Sequence, residues 1–451
     1  MMSLQEAAKI LGVHATLAPV SFNRVSTDTR QLEAGDLFVA LRGEHFDGHA
    51  FVVDALRKGA VGAIVETQGV HRDDAARLIQ VPSTAQALST LAGSWRRKIN
   101  PRVVAVTGSN GKTSVKEMLA AILRCAAGLQ GLNPQDSVLA TAGNLNNTLG
   151  LPMTLLRLRP GHRWAVVEMG MNHAGEIAGM TRVARPDVGL ITNVQRAHVG
   201  MVGSLEAVAR AKGELFEGLS ATGVAVLPAG EAMTPVLRQC AAGHDVLDFA
   251  LDQPAMVRGH SQGEMLKIEL PQAVLQVRLN VPGRHNRNNA VAAAAAATAL
   301  GIDAEAIRQG LESFQGVPGR LQTKFSARGA LIIDDTYNAN PDSVLAAIAV
   351  LAARPGRRIL VLGDLGELGK EAPGLHAEVG QVARAAGIDD CFTLGELTRE
   401  TCRAFGPQAR HFESAAALVS ILHPQLNADA TVLVKGSRFM QMERVVEGLV
   451  Q

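Results

Sequence analysis

The chain predicts an α/β protein of three domains: a small mixed α/β N-terminal domain over residues 1–98, a central P-loop-type domain with a mostly parallel sheet over 99–312, and a Rossmann-like C-terminal domain over 313–451. Three observations lead there. A length of 451 residues favours two to four domains at roughly 100–200 residues each. Short β-branched apolar runs alternate with helical stretches, the pattern of parallel sheets covered by helices on both faces. One of those runs ends in glycines and opens on Lys-Thr, the layout of a phosphate loop.

In chain order, the first domain holds the strand run Asp36–Leu41, a Gly- and His-rich turn, a helix, and a second strand at Val61–Val65. The central domain begins after Pro101 with Arg102–Thr107 and continues with Trp164–Val167, Val188–Thr192 and Gly223–Leu227. Residues 255–282 alternate in period two, as in Met265–Leu270 and Leu275–Leu279, and predict a small antiparallel addition. Ala290–Leu300 reads as a buried alanine-rich helix. Turn formers at Gln315–Gly319 predict a linker. Beyond it, Ala330–Asp334, Arg358–Leu362, Cys391–Leu394 and Thr431–Val434 are strand candidates separated by helices, Rossmann-like in outline.

Composition excludes several classes. Apolar residues make up 47% and charged residues 19%, so the chain can bury sizeable cores and is not a disordered polymer. A formal net charge of +2 creates no demand for a nucleic-acid partner. Cys125, Cys240, Cys391 and Cys402 stand at spacings that suit neither a zinc site nor a compact disulfide framework. The longest apolar run is shorter than the ~20 residues a bilayer requires, and the N-terminus lacks the pattern of a signal peptide. A cytoplasmic protein with no membrane insertion is expected.

The loop Thr107–Ser114 carries the chemistry. Gly108 and Gly111, with Ser109 and Asn110 between them, form a loop whose glycines let backbone N–H groups converge on phosphate oxygens, and the helix that follows presents its positive end. Lys112 offers a mobile charge to the terminal phosphates, Thr113 a hydroxyl to magnesium, and Ser114 completes the first turn. ATP with magnesium is the expected ligand. The general pattern has a glycine where this chain has Val106, so the glycine span is short. This variant, Thr-Gly-Ser-Asn-Gly-Lys-Thr-Ser, resembles the loop of the Mur ligases and the related folylpolyglutamate synthases, which are three-domain, ATP-dependent, amide-forming enzymes.

Three further positions are candidate metal ligands beside Thr113. Glu168 ends an apolar strand; alone it is either a strand-end carboxylate facing water or a magnesium ligand, and the resemblance implies the latter. His198 follows another strand in Thr-Asn-Val-Gln-Arg-Ala-His. A lone histidine there is ordinarily structural, while the similar family segment implies a metal role. Lys212 lies on the apolar stripe of Leu205, Val208, Leu215, Phe216 and Leu219, in a helix that Ser204 can cap. A lysine there must snorkel, pair or lose its charge. Ala211–Phe216 resembles the family segment in which the lysine is carbamylated. The resemblance thus implies N6-carboxylysine at Lys212 and two magnesium sites.

In Gly283–Ala290, Asn286 and Asn289 match asparagines that contact adenine in the family; on chemistry alone they suit either an adenine edge or a helix cap. Arg320 is similar to the family's arginine near the ATP phosphates. Asp334–Ser343 resembles the opening of its third domain, implying that Asp335 and Asn338 face the nucleotide. Leu362–Gly369 and Val434–Arg438, with Lys435, Ser437 and Arg438 on the amine side, resemble the branch that joins D-alanyl-D-alanine to a UDP-N-acetylmuramoyl-tripeptide. Gly143–Gly150, with Asn144, Asn146 and Asn147, is similar to the same branch near the reacting carboxylate. In the first domain Ser26, Thr27, Thr29, Arg30, Gly43, Asp47 and His49 lie in segments that resemble its UDP-binding domain.

These parts imply an ATP-dependent amide ligase: a carboxylate is phosphorylated, an amine attacks the acyl phosphate, and Lys112, Lys212, His198 and Arg320 serve the reaction. A monomer is expected. The alternatives are another Mur ligase, a folylpolyglutamate synthase-like enzyme, or a nucleotide-binding protein without catalysis.

Overall fold

The structure, a computed structural model, describes residues 1–43, 46–67, 76–196 and 203–451. Among these the strands form three principal sheets and one two-stranded ribbon that pairs Met2–Ser3 with Ser21–Phe22.

The first sheet is parallel and runs Arg24–Ser26, Asp36–Val39, Gly62–Glu66, Leu78–Val81. Two of its four strands are those the sequence predicts. Leu78–Val81 was not expected, because a four-residue run with an exposed glutamine gives little periodic signal.

The central sheet has nine strands. Arg102–Thr107 lies between Val188–Ile191 and Trp164–Glu168, parallel to both. This strand faces both cores, as its near-continuous apolar run predicts. Val103 and Ala105 pack to one side with the helices Thr84–Ile99 and Glu176–Ala184; Val104 and Val106 pack to the other with Lys112–Leu129 and Arg284–Ala299. Outward from Val188–Ile191 come Val224–Pro228, Asp245–Leu251 and Val257–Gln262, all parallel. Val138–Ala140 flanks Trp164–Glu168 in parallel at one edge, and Met265–Leu270 and Ala273–Arg278 complete the other edge antiparallel, the addition that the period-two pattern predicts.

The alanines of Arg284–Ala299 are buried from Ala290 to Ala297. Small side chains bring this helix close to the sheet and leave no long rotamers to order. The helix Thr84–Ile99 ties the first sheet to the central one. Its Trp95 donates an indole N–H to Leu158 O at 3.0 Å, and Arg96 donates to Ala184 O and Arg185 O at 2.7 and 3.0 Å. Those are the carbonyls of the last helical residue and of the C-cap Arg185, so Arg96 satisfies helix-end acceptors from a neighbouring helix.

The third sheet has six strands, ordered Gln322–Phe325, Leu331–Asp335, Ala430–Lys435, Arg357–Gly363, Asp390–Leu394, Ala409–Phe412. Only the first is antiparallel. The two edge strands are absent from the sequence reading. Both are four-residue, half-polar segments, which suits an edge but not a buried-strand pattern.

Candidate active site

A cavity of about 1630 Å³ lies where the carboxyl ends of the central strands meet the third domain. Such crevices are the usual ligand site of open parallel sheets. Ser109, Asn110, Gly111, Lys112 and Ser114 line it, as do Asn144, Asn146, Asn147, Glu168, Asn286, Asn289, Arg320, Asp335, Asn338, Lys435, Ser437 and Arg438.

The loop's two glycines are required by close packing. Gly108 has φ +146° and a Cβ there would sit 1.9 Å from Thr192 Oγ1; at Gly111, φ +81°, it would sit 2.4 Å from Asn289 Oδ1. The helix Lys112–Leu129 starts after Gly111 with no side-chain cap, so its first N–H groups remain available to an anion. Lys112 folds back and donates from Nζ to Gly108 O at 2.7 Å and Ser109 O at 3.1 Å. Burial lowers its pKa, the Glu168 carboxylate opposes that, and the Arg320 guanidinium adds to it.

Arg320 donates to Thr113 Oγ1 at 2.8 Å and stacks 4.3 Å above the Tyr337 ring, which gives the chain's one tyrosine a role beyond packing. Glu168 is 2% exposed. Its N–H donates to Thr141 Oγ1 at 2.9 Å and its Oε1 accepts from Asn146 Nδ2 at 2.7 Å. Thr141 O in turn accepts from Lys116 Nζ at 2.6 Å.

Lys212 is 1% exposed on the helix Leu205–Gly213, which Ser204 caps by accepting from Ala207 N. Burial pushes its amine well below the ordinary lysine range, and the Lys112 ammonium pushes the same way. Of the three outcomes for a lysine on an apolar stripe, snorkelling is ruled out by this burial. His198 lies outside the described residues.

On the third domain, Lys435 donates to Asp335 Oδ2 at 2.6 Å and Asn338 O at 2.9 Å. Lys435, expected on the amine side, is therefore an internal partner of Asp335 and Asn338. Asp335 Oδ1 also accepts from Leu321 N at 3.2 Å. Ser437 accepts from Gly366 N at 2.8 Å and donates to Ala339 O at 3.1 Å, while the exposed Arg438 pairs with Glu443 at 2.9 Å. Asn286 donates to Pro282 O at 2.8 Å. Asn147 accepts from Leu149 N and Gly150 N at 3.2 and 2.8 Å, in the turn that leads into a short helix.

Three buried polar atoms on residues that line the cavity have no hydrogen-bond partner among the described residues: Glu168 Oε2, Arg320 Nε and His285 Nε2. Buried polar groups are ordinarily satisfied, and a cluster of exceptions marks a place built for a ligand. The unpartnered Glu168 carboxylate oxygen is a hard donor that fits magnesium, which takes one or two carboxylates and completes its shell with phosphate and water; Thr113, whose hydroxyl Arg320 holds, and Lys212 are not among the residues that line the cavity. No group of three or more His, Cys, Asp or Glu side chains that could hold a metal occurs among the described residues, which do not include His198.

The first-domain candidates do not line the cavity. Ser26 closes a turn through Asp28, and the exposed Arg30 pairs with Asp28 at 2.8 Å. Thr27 and Thr29 are half-buried, and Thr29 O accepts from Lys58 Nζ at 3.1 Å. His49 Nε2 accepts from Glu66 N at 2.8 Å, so its Nδ1 donates to Asp47, 2.5 Å away. Gly43 is packed against Phe46, whose ring a Cβ would meet at 2.7 Å.

Sequence reasoning missed His285, Lys116 and Asn340. For Lys116 a signal existed: it shares the helical stripe of Leu119 and Leu123, the same argument that singles out Lys212.

Three family models match the chain in succession: the Mur ligase family catalytic domain over residues 21–124, the Mur ligase middle domain over 106–297, and the Mur ligase glutamate ligase domain over 319–438. The UDP-N-acetylmuramoyl-tripeptide--D-alanyl-D-alanine ligase of Escherichia coli (strain K12) is 40% identical, the match covering 99% of this chain and 98% of that protein. The Haemophilus influenzae ligase of the same name is 38% identical over 95% of this chain and 94% of its own. A crystal structure of MurF from Acinetobacter baumannii superposes with a TM-score of 0.90 at 34% identity, covering 100% of this chain and 98% of that one. MurF from Thermotoga maritima in complex with ADP gives 0.83 at 28% identity, covering 95% and 97%.

Proposed function

The chain belongs to the Mur ligase family, and from that premise we propose that it joins D-alanyl-D-alanine to UDP-N-acetylmuramoyl-tripeptide at the expense of ATP, in the synthesis of peptidoglycan precursors in the cytoplasm. The observation that carries this reading is the convergence, in one cavity, of the phosphate loop, Glu168, Asn286, Asn289, Arg320 and the Asp335–Lys435 pair, in a chain matched end to end by ligases of that name.

The residues divide the work as follows. Lys112 exchanges the carbonyls of Gly108 and Ser109 for the terminal phosphate oxygens. Arg320 leaves the Thr113 hydroxyl and faces the phosphoryl group as it moves to the substrate carboxylate. The free amine of D-alanyl-D-alanine then attacks the acyl phosphate, a C–N bond forms, and phosphate leaves. Both cations stabilise charge that develops in these steps. Thr113 and Glu168 would hold one magnesium ion, and Glu168, His198 and Lys212 a second; when bound, such ions neutralise the phosphates and orient them.

A neutral Lys212 amine adds to carbon dioxide and loses one proton to become N6-carboxylysine. That change replaces a neutral amine with an anion attracted to the Lys112 ammonium. Asn286 and Asn289 take the adenine edge, Asp335 and Asn338 the ribose side. Asn144, Asn146 and Asn147 take the peptide carboxylate, and Ser437 and Arg438 the incoming dipeptide, with Lys435 setting their frame. The first-domain set from Ser26 to His49 holds the UDP portion.

Phosphate release measured with ATP, UDP-N-acetylmuramoyl-tripeptide and D-alanyl-D-alanine tests the reading. Release must require both acceptor substrates; release with neither, or none with both, contradicts it.

A further inference from the structure

The five residues Thr192–Arg196 leave the strand Val188–Ile191 and run between the phosphate loop and the third domain. Thr192, Asn193 and Gln195 bond the loop. Thr192 Oγ1 and Asn193 Nδ2 donate to Asn110 O at 2.6 and 3.0 Å, and Asn193 Oδ1 and O accept from Asn110 N and Ser109 N at 2.9 and 3.0 Å. Gln195 exchanges bonds with Ser109 Oγ at 2.9 and 3.1 Å, and its Oε1 accepts from Asn110 Nδ2 at 2.6 Å. Val194 N donates to Glu231 at 3.1 Å, which pins the segment in the middle.

The fifth residue turns the other way. Arg196 grips Asp342 with Nε and an Nη at 2.9 and 2.7 Å, and its backbone N–H donates to the other carboxylate oxygen at 2.8 Å. Its two Nη atoms reach Glu378 at 3.0 and 3.1 Å. Asp342 and Glu378 lie on separate helices of the third domain, Pro341–Ala352 and Ala372–Ala385. A planar guanidinium that bridges two carboxylates fixes direction as well as distance, which a lysine ammonium cannot. Beside it, Asn110 and Asn340 join loop to third domain through their side-chain amides, at 2.8 and 3.3 Å.

We propose that Thr192–Arg196 is the element through which docking of the third domain sets the shape of the phosphate loop, and that Arg196 is the positioning residue at its end. The backbone N–H groups of Ser109 and Asn110, the Ser109 hydroxyl and the Asn110 carbonyl and amide N–H all bond this segment, and among the described residues the segment's far end is held by the third domain. Undocking removes the restraint on Arg196 and loosens the loop; nucleotide that orders the loop favours docking by the same factor. The inference rests on the nucleotide reading of the loop and not on the identity of the amine substrate.

Titration of the full chain with magnesium-ADP, with small-angle scattering on the same samples, tests it. Arg196→Gln should weaken magnesium-ADP about tenfold, within the ~5–150-fold usual for coupled sites, with an unchanged thermal midpoint and a larger radius of gyration in the bound state. Arg196→Lys should recover part of the loss. Glu378→Gln, far from the loop, should weaken binding by about threefold through the same route, and it carries the test if Arg196→Gln fails to fold. Wild-type affinity in Glu378→Gln together with wild-type affinity in any folded Arg196 variant overturns the proposal. Absence of magnesium-ADP binding in the unmodified chain would instead overturn the nucleotide reading.

Discussion

At the scale of single residues, burial sets the chemistry. Lys212 is buried with a second ammonium nearby, and its pKa is driven down by loss of water first and by Lys112 second. The neutral amine that results is the form able to take up carbon dioxide. Lys212→Ala should lower the rate of ligation by about 100-fold or more and regain part of it when formate or acetate is added, read by phosphate release. Full activity without added carboxylate would end the carbamate idea.

Glu231 offers a second test. It lines the cavity, accepts from Val194 N, and burial raises its pKa to about 7. The folded state therefore holds this proton more tightly than the unfolded state, whose value is 4.5. The stabilising effect of that proton is complete below the unfolded value and is lost as pH rises through about 7. Glu231→Gln should then be more stable than the parent at pH 8, by on the order of 2 kcal/mol given the partial exposure of the group. The difference should vanish near pH 4; denaturant unfolding at the two pH values measures it. A difference independent of pH would show that the proton is not responsible.

At the scale of elements, legibility followed periodicity. Arg102–Thr107 and Met265–Leu270 have the bounds their patterns predict, because one is apolar on both faces and the other strictly alternates. The edge strands Gln322–Phe325 and Ala409–Phe412 were not legible: they bury little, and neighbours rather than their own pattern make them strands. The phosphate loop was legible as a local word in the chain. His285, Asn340 and Arg196 were not, since each acquires meaning only from a partner far away in sequence, such as Arg196 from Glu378.

Close helix packing is a second feature with no local signal. A Cβ at Gly310 would lie 2.3 Å from Ile122 Cα, so the helices Lys112–Leu129 and Ala304–Ser313 meet backbone to backbone at a glycine. Gly310→Ala should force them apart and destabilise the fold by about 1–3 kcal/mol, measured by urea unfolding, despite the better helix propensity of alanine. Unchanged or increased stability would show that this contact yields easily.

At the scale of the whole molecule, recognition is divided between places. Apolar clusters run without a break from the ribbon and first sheet, through Trp95 and its helix, to one face of the central sheet. The first-domain polar set nevertheless sits outside the cavity that the phosphate loop, Glu168, Arg320 and Asp335 line. Arg30, exposed and paired only locally with Asp28, is the cleanest probe of that separation. Arg30→Ala should raise KM for the UDP-linked substrate by about tenfold, the loss of one charged contact, and leave the affinity for magnesium-ADP unchanged. A change in nucleotide affinity, or none in KM, would refute the division. No described helix is long and apolar enough to cross a membrane.

The folded-back Lys112 has a thermodynamic consequence. Its ammonium already holds Gly108 O and Ser109 O, and Arg320 already holds Thr113 Oγ1. The loop is thus a closed circuit of bonds before any phosphate arrives, and binding swaps one set of partners for another. Affinity for nucleotide is then a small difference between two nearly equal sums, and the heat of binding should be modest even though phosphate oxygens are strongly charged partners. In the proposed reading the lysine that grips the phosphate is also the brace that holds the two carbonyls of its own cradle.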